Sequence, residues 1–168
     1  AMTATRSTAP MLASLPAHLA AIRPREDAIR TLRVVVPVDS PEPADLLDYD
    51  SLASLLIEID RAAAPHALSV KLDPGTAPPP CIFAGKNRPS HLFSLTPGAA
   101  RRDDHVRVDA CGECQLQDRC SGFSRVYVAR FGAPTVEPIR DEKARRRLSV
   151  IASVAEQIER EIVTPSFA

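Results

Sequence analysis

Three of the chain's four cysteines fall within ten positions, in the run "CGECQLQDRC" at residues 111 to 120, and the fourth, Cys81, lies thirty residues before the first of them. A C-x2-C spacing lets Cys111 and Cys114 point at one centre from a tight turn, and the five-residue gap lets Cys120 return to that centre. Thiolates held on so short a tether are costly if left unpaired. A disulfide explanation needs an oxidising compartment, and a redox-active C-x2-C is expected to open a helix after a strand. Neither context is present in the sequence. A metal site remains, and four soft thiolate donors suit either tetrahedral zinc or an iron–sulfur cluster. Structural zinc usually takes its ligands as two close pairs, whereas a cluster accommodates three ligands from one loop and one from elsewhere in the fold. The spacing follows neither of the common ferredoxin patterns, so both metals stay open at this point.

The composition makes such a site useful. At 168 residues the chain suits one domain of ordinary size and is too short for two comfortable ones. Its 16 prolines against 6 glycines imply stiff connectors, and the lack of Trp with 4% aromatic residues implies a thin core. A metal then adds its ligation free energy to folding. Lys and Arg balance Asp and Glu at 21 each, so no global field recruits nucleic acid or an anionic membrane. No run approaches the roughly 20 apolar residues of a membrane span, and the opening "AMTATRSTAPMLASLP" lacks the apolar stretch of a secretory signal. These features predict a cytoplasmic protein that binds neither nucleic acid nor a membrane. Ala1 ahead of Met2 reads as a remnant of tag removal, with Met2 as the natural start.

Four segments are predicted. Residues 1 to 30 read as a helical or flexible N-terminal segment, frayed over the first ten, with a short helix in "MLASLPAHLAAI" that Pro16 interrupts or restarts. Residues 31 to 80 read as a strand–helix segment with a Pro-rich linker. The β-branched run "TLRVVVPV" at 31 to 38 suits a strand buried on both faces. "DSLASLLIEIDRAAA" spaces Leu52, Leu55, Leu56 and Ile59 for a core-facing helix, with Asp50 or Ser51 as its N-cap. "ALSVKL" supplies another strand, and "DPGTAPPP" delivers Cys81 on an extended approach with few backbone states. Residues 81 to 140 form the cysteine region, with "HVRVDA" and "SRVYVARFG" as short strands on either side of the loop. Residues 141 to 168 read as an amphipathic closing helix with a stripe of Leu148, Ile151, Ala155, Ile158 and Ile162. Few other apolar runs are available to complete a sheet around residues 31 to 38, so that strand is expected to leave an edge open to another copy or another protein.

Taken together, "VVVPVDSP", a helix, "PPCIF" and then "CGECQLQDRCSGFSRVYVARFGAPTVEPI" resemble the C-terminal part of radical SAM enzymes that carry an auxiliary iron–sulfur extension of the SPASM or Twitch kind. The resemblance covers roughly residues 31 to 140. It rests on Pro80, Cys81, Cys111, Cys114, Cys120, Gly122, Tyr127, Phe131, Gly132, Glu137, Pro138 and Ile139. Ser124 stands where SPASM domains typically place a further cysteine, which argues against a second auxiliary cluster. The C-x3-C-x2-C loop that holds the SAM-cleaving cluster in that family does not occur in the sequence.

The resemblance implies an α+β domain, a short sheet and a cysteine loop flanked by helices, with a strand and helix corresponding to the end of a partial (β/α) barrel. It implies one [4Fe-4S] cluster on Cys81, Cys111, Cys114 and Cys120, acting as an electron relay or a structural anchor, with zinc on the same cysteines as the alternative. That alternative makes the chain a zinc-stapled protein-interaction module without a redox role. No catalytic residue is assigned, because the chain is not expected to cleave SAM by itself. The partner is then a SAM-cleaving domain or protein, or a second copy of the chain, with a peptide as the candidate substrate. "KNRPSH" and "ARRDDHVR" read first as solvated loops and second as a surface for such an anionic or peptide substrate. His18, His66, His91 and His105 read as surface or capping residues, His105 lying nearest the cysteine loop. Phe83, Phe93, Tyr127 and Phe131 are candidates to wall the site from water.

Overall fold

A computed structural model describes residues 2–21, 31–37, 43–73, 76–83, 89, 92–93, 102–141 and 143. The fold is α+β, with a three-stranded parallel sheet, a two-stranded antiparallel one and three helices among these residues. The closing helix expected beyond Asp141, most of "KNRPSH" and His91 lie outside the described residues.

Strand β1 (Met2–Thr3) leads through helix α1 (Ala9–Ala21) to strand β2 (Thr31–Val35), which leads through helix α2 (Tyr49–Ala63) to strand β3 (Ser69–Leu72). The strand order is β1-β2-β3, with Met2 opposite Val34 and Leu32 opposite Val70. Two successive right-handed crossovers in that order put both helices on one face of the sheet, and α1 and α2 pack against each other. The period-2 alternation of the strands follows from this. Leu32, Val34, Val36, Val70 and Leu72 are buried under the helices, while Thr31, Arg33 and Ser69 are exposed on the other face.

The expectation of a strand buried on both faces is therefore corrected. The open face carries polar groups, including the Arg33–Asp73 ion pair at 3.9 Å. Nor is β2 an unpaired edge, since it has a strand on each side within the same chain.

Residues 2 to 10 are pinned, not frayed. The backbone N–H of Ala4 donates to the carbonyl of Val35 at 2.8 Å, and Ala4 itself is buried. Ser7 donates its backbone N–H and its hydroxyl to the Asp45 carboxylate at 2.7 and 2.9 Å. These bonds lower the Asp45 pKa and anchor the chain just ahead of α1. Composition alone hid this, because the partners of these small polar residues lie some forty positions away. Helix α1 continues through Pro16, which is itself buried.

Helix α2 is the one sequence periodicity foresaw, with Leu52, Leu56 and Ile59 fully buried, each stabilising by roughly 2 kcal/mol. Its N-cap is Asp48, two residues before the first expected position, whose carboxylate accepts the Ser51 backbone N–H at 2.8 Å.

In the second half, strand β4 (His105–Val106) pairs antiparallel with β5 (Phe123–Ser124), so the cysteine loop does sit between two short strands. Beyond β5 the expected strand is instead helix α3 (Arg125–Phe131). Tyr127 and Phe131, four residues apart, lie on one helical face with ring centroids 5.8 Å apart. Tyr127 is buried against Tyr49, centroids 5.1 Å apart, and Tyr49 also meets Phe123 edge-on at 5.3 Å. Packing of this aromatic group overrides the alternation of "RVYV", and it joins the start of α2 to the cysteine region. Leu116 and Ile139 belong to the same core. No helix among the described residues is long and apolar enough to cross a membrane.

Candidate metal centre

Each cysteine is placed by a short turn that its own neighbours dictate. Pro78, Pro79 and Pro80 are buried, and Pro79 has the extended backbone of a polyproline segment (φ −59°, ψ 141°). They deliver Cys81 into a single 3-10 turn, Pro80–Ile82, anchored by buried Ile82 and Phe83. Cys111 and Cys114 sit on and just after a second 3-10 turn, Asp109–Glu113, closed by Cys111 N–H to the Val108 carbonyl at 2.9 Å and Cys114 N–H to the Cys111 carbonyl at 3.2 Å. Buried Leu116 then pins the loop from beneath.

Hydrogen bonds across the loop hold its shape. The Gln117 amide donates to the Cys111 carbonyl at 2.9 Å, and the Arg107 guanidinium donates to the Gln117 carbonyl at 2.7 Å. Gln115 donates its backbone N–H to the carbonyl of Ile139 at 2.8 Å, which ties the loop to the segment before residue 141. After Cys120 the chain turns through Gly122, whose N–H faces the Cys120 Sγ.

These turns bring all four cysteines to one pocket, along with Pro79, Val136, Pro138 and Arg107. Each cysteine is half-buried and carries a free thiol. Burial pushes the Cys81 thiol up to about 12, with Cys120, Cys114 and Cys111 adding to the shift because a second negative charge nearby is unwelcome. Burial likewise pushes Cys120 up to about 11, reinforced by Cys114 and Cys111 and opposed by the Gly122 N–H and the Arg107 charge. The thiols thus sense one another across the pocket. Among the described residues, no three Cys, His, Asp or Glu side chains already form a set that holds a single metal ion.

The other sequence candidates fall outside the pocket. His105 lies beside Asp104, its ring nitrogen 3.0 Å from the carboxylate, while His18 faces the Ser14 carbonyl within α1. His66 lies in the turn after α2. None of the aromatic residues expected to wall the site lines it. Phe83 and Phe93 meet edge-on at 5.6 Å in the core, while Tyr127 and Phe131 pair in a tilted arrangement on their own helix. Of "ARRDDHVR", Arg102, Asp104 and His105 are occupied with one another.

Two neighbours of the site were missed by sequence reading. Tyr49 is close enough for the Cys81 and Cys120 charges to raise its pKa, beneath the larger effect of burial, and the Ser124 backbone N–H faces its hydroxyl. It stands one residue ahead of the stretch read as a helix, and sequence reading gave it no role. Arg107 read as one charge in a solvated run. No family model, no curated protein and no solved structure matches the chain.

Proposed function

We propose that the chain binds one [4Fe-4S] cluster through Cys81, Cys111, Cys114 and Cys120, as an auxiliary electron-relay or anchoring domain of a radical SAM-type system. The observation that carries this reading is the meeting of four cysteines, from two segments far apart in sequence, at a single pocket with largely apolar walls. Such a site suits a soft, sulfur-rich group.

The donor set, four soft thiolates, suits a cluster, with a lone zinc ion as the alternative. Tetrahedral zinc, with Zn–S bonds of about 2.3 Å, draws four sulfurs to within about 3.8 Å of one another. A cubane keeps its four thiolates further apart, at its corners.

When bound, the group supplies one-electron chemistry. This chain's residues hold it and wall it: Pro79, Val136 and Pro138 limit access of water, and the Gly122 N–H is aimed at a ligand sulfur. With four thiolates no corner is left open for substrate, which favours relay or anchoring over catalysis. The half-buried position of the cysteines keeps the site near enough to the surface for a partner to exchange electrons with it. That partner is a SAM-cleaving domain or protein.

Anaerobic purification followed by iron, sulfide and zinc analysis tests the reading. Roughly four irons and four sulfides per chain, with a brown colour, are expected. About one zinc per chain in colourless protein makes the domain a zinc-stapled interaction module instead.

A further inference from the structure

We infer that Arg107 is the charge-balancing residue of the four-cysteine pocket, stabilising the reduced form of the group held there relative to the oxidised form. The inference rests on the cluster reading above. Four thiolates bring four negative charges to a pocket whose remaining walls are largely apolar, and Arg107 is the one cationic side chain among the described residues that line it. Its position is fixed at both ends. The guanidinium donates to the Gln117 carbonyl at 2.7 Å, inside the cysteine loop, and the stem crosses Gly122, where Cγ lies 3.4 Å from the place a Cβ would occupy.

Its charge is also available to the site. Among the described residues no carboxylate lies within ion-pair distance of Arg107, while the acids of the loop are engaged elsewhere, Glu113 with Arg140 and Asp118 with Arg119. Reduction adds one electron to the site, and a fixed cation at the pocket wall favours the state with more negative charge. Because Arg107 is itself exposed, solvent and salt moderate the effect.

The test is an anaerobic redox titration, followed by electron paramagnetic resonance, of the full chain and its Arg107→Gln and Arg107→Lys variants, each with iron and sulfide measured. At the potential where the parent protein is half reduced, the reduced-to-oxidised ratio of Arg107→Gln should fall about threefold, and Arg107→Lys should recover most of the difference. The gap should narrow in high salt. An unchanged midpoint in a fully loaded Arg107→Gln protein overturns the inference, and so does an Arg107→Lys protein that behaves like Arg107→Gln. Should Arg107→Gln load poorly, Gln117→Lys, which adds a cation at the same wall, must shift the midpoint the opposite way, and no shift overturns the inference. Parent protein that holds no iron or sulfide overturns the underlying cluster reading, and the inference with it.

Discussion

The backbone N–H of Gly122 faces the Sγ of Cys120 across 3.4 Å, in a conformation that only glycine adopts without strain, with φ at +92°. A Cβ there would stand 2.4 Å from the Val106 carbonyl oxygen, on the strand that pairs with β5. Gly122→Ala is therefore expected to cost about 2 kcal/mol or more and to lower metal content, because it separates β4 from β5 and re-aims a ligand. Gly112, with open space around it and no positive φ, serves as the control, and its alanine variant should lie within about 0.5 kcal/mol of the parent. Denaturant unfolding of both variants decides the matter. Equal stability would remove the conformational requirement.

Loss of single ligands should not be equivalent. Cys81→Ala leaves three ligands on one loop and should weaken metal retention, whereas Cys114→Ala removes the middle of the triplet and should reduce it further. Metal analysis after dialysis against a chelator measures the ranking. Full retention in Cys81→Ala would take that cysteine out of the site.

The thiols also predict how metal-free protein responds to alkali. An unperturbed thiol ionises near 9.0, while the folded chain holds the Cys81 proton to about 12 and the Cys120 proton to about 11. Each folded pKa is raised, so the native state keeps protons that the unfolded chain sheds. The stability is present in full below about pH 9 and falls as pH rises toward 11 and 12. Denaturant midpoints of metal-free protein should decline across that window, and the decline should shrink in the Cys81→Ala, Cys120→Ala double variant. A double variant with the same slope would assign the effect to other groups.

Legibility in the sequence followed the range over which each signal acts. Helix α2 and the cysteine triplet were readable because the spacing of Leu52, Leu55, Leu56 and Ile59, and of Cys111, Cys114 and Cys120, is a local property, whereas Cys81 stands thirty residues away. Strand β2 was readable as an element, but its second face was not. The number of faces covered depends on which way the crossovers turn, and "TLRVVVPV" carries no record of that. The pairing of Met2–Thr3 with Val34 and Val35 was hidden for a similar reason, since a two-residue strand has no periodicity of its own. Helix α3 was misread because "SRVYVARFG" satisfies both periods, and the contact of Tyr127 with Tyr49 settles between them. Arg107 and Tyr49 became part of the site only through residues distant in sequence.

The two buried tyrosines should respond oppositely to loss of a hydroxyl. Among the described residues, the Tyr127 hydroxyl has no hydrogen-bond partner, so Tyr127→Phe should be neutral or stabilise by up to about 1 kcal/mol. The Ser124 backbone N–H faces the Tyr49 hydroxyl, so Tyr49→Phe should cost up to about 1 kcal/mol by removing the oxygen that donor faces. Thermal unfolding of the two variants side by side tests the contrast. A stabilised Tyr49→Phe would show that the Ser124 donor is satisfied elsewhere.

The parallel sheet also imposes an order of events on the ribosome. Met2 emerges long before its partner Val34, and Leu32 before Val70, so each strand pair must wait for a helix's length of chain. Helices α1 and α2 form from near neighbours, whereas the sheet closes only through distant contacts and is the slower step. Its last strand ends at Leu72, some forty residues before Cys111 is translated. Since the earlier part of a chain begins to fold first during synthesis, Cys81 is presented at the end of an assembled sheet and helix pair while the other three thiols are still to be made. The sheet half is the template, and the cysteine loop, arriving later, closes the site against it.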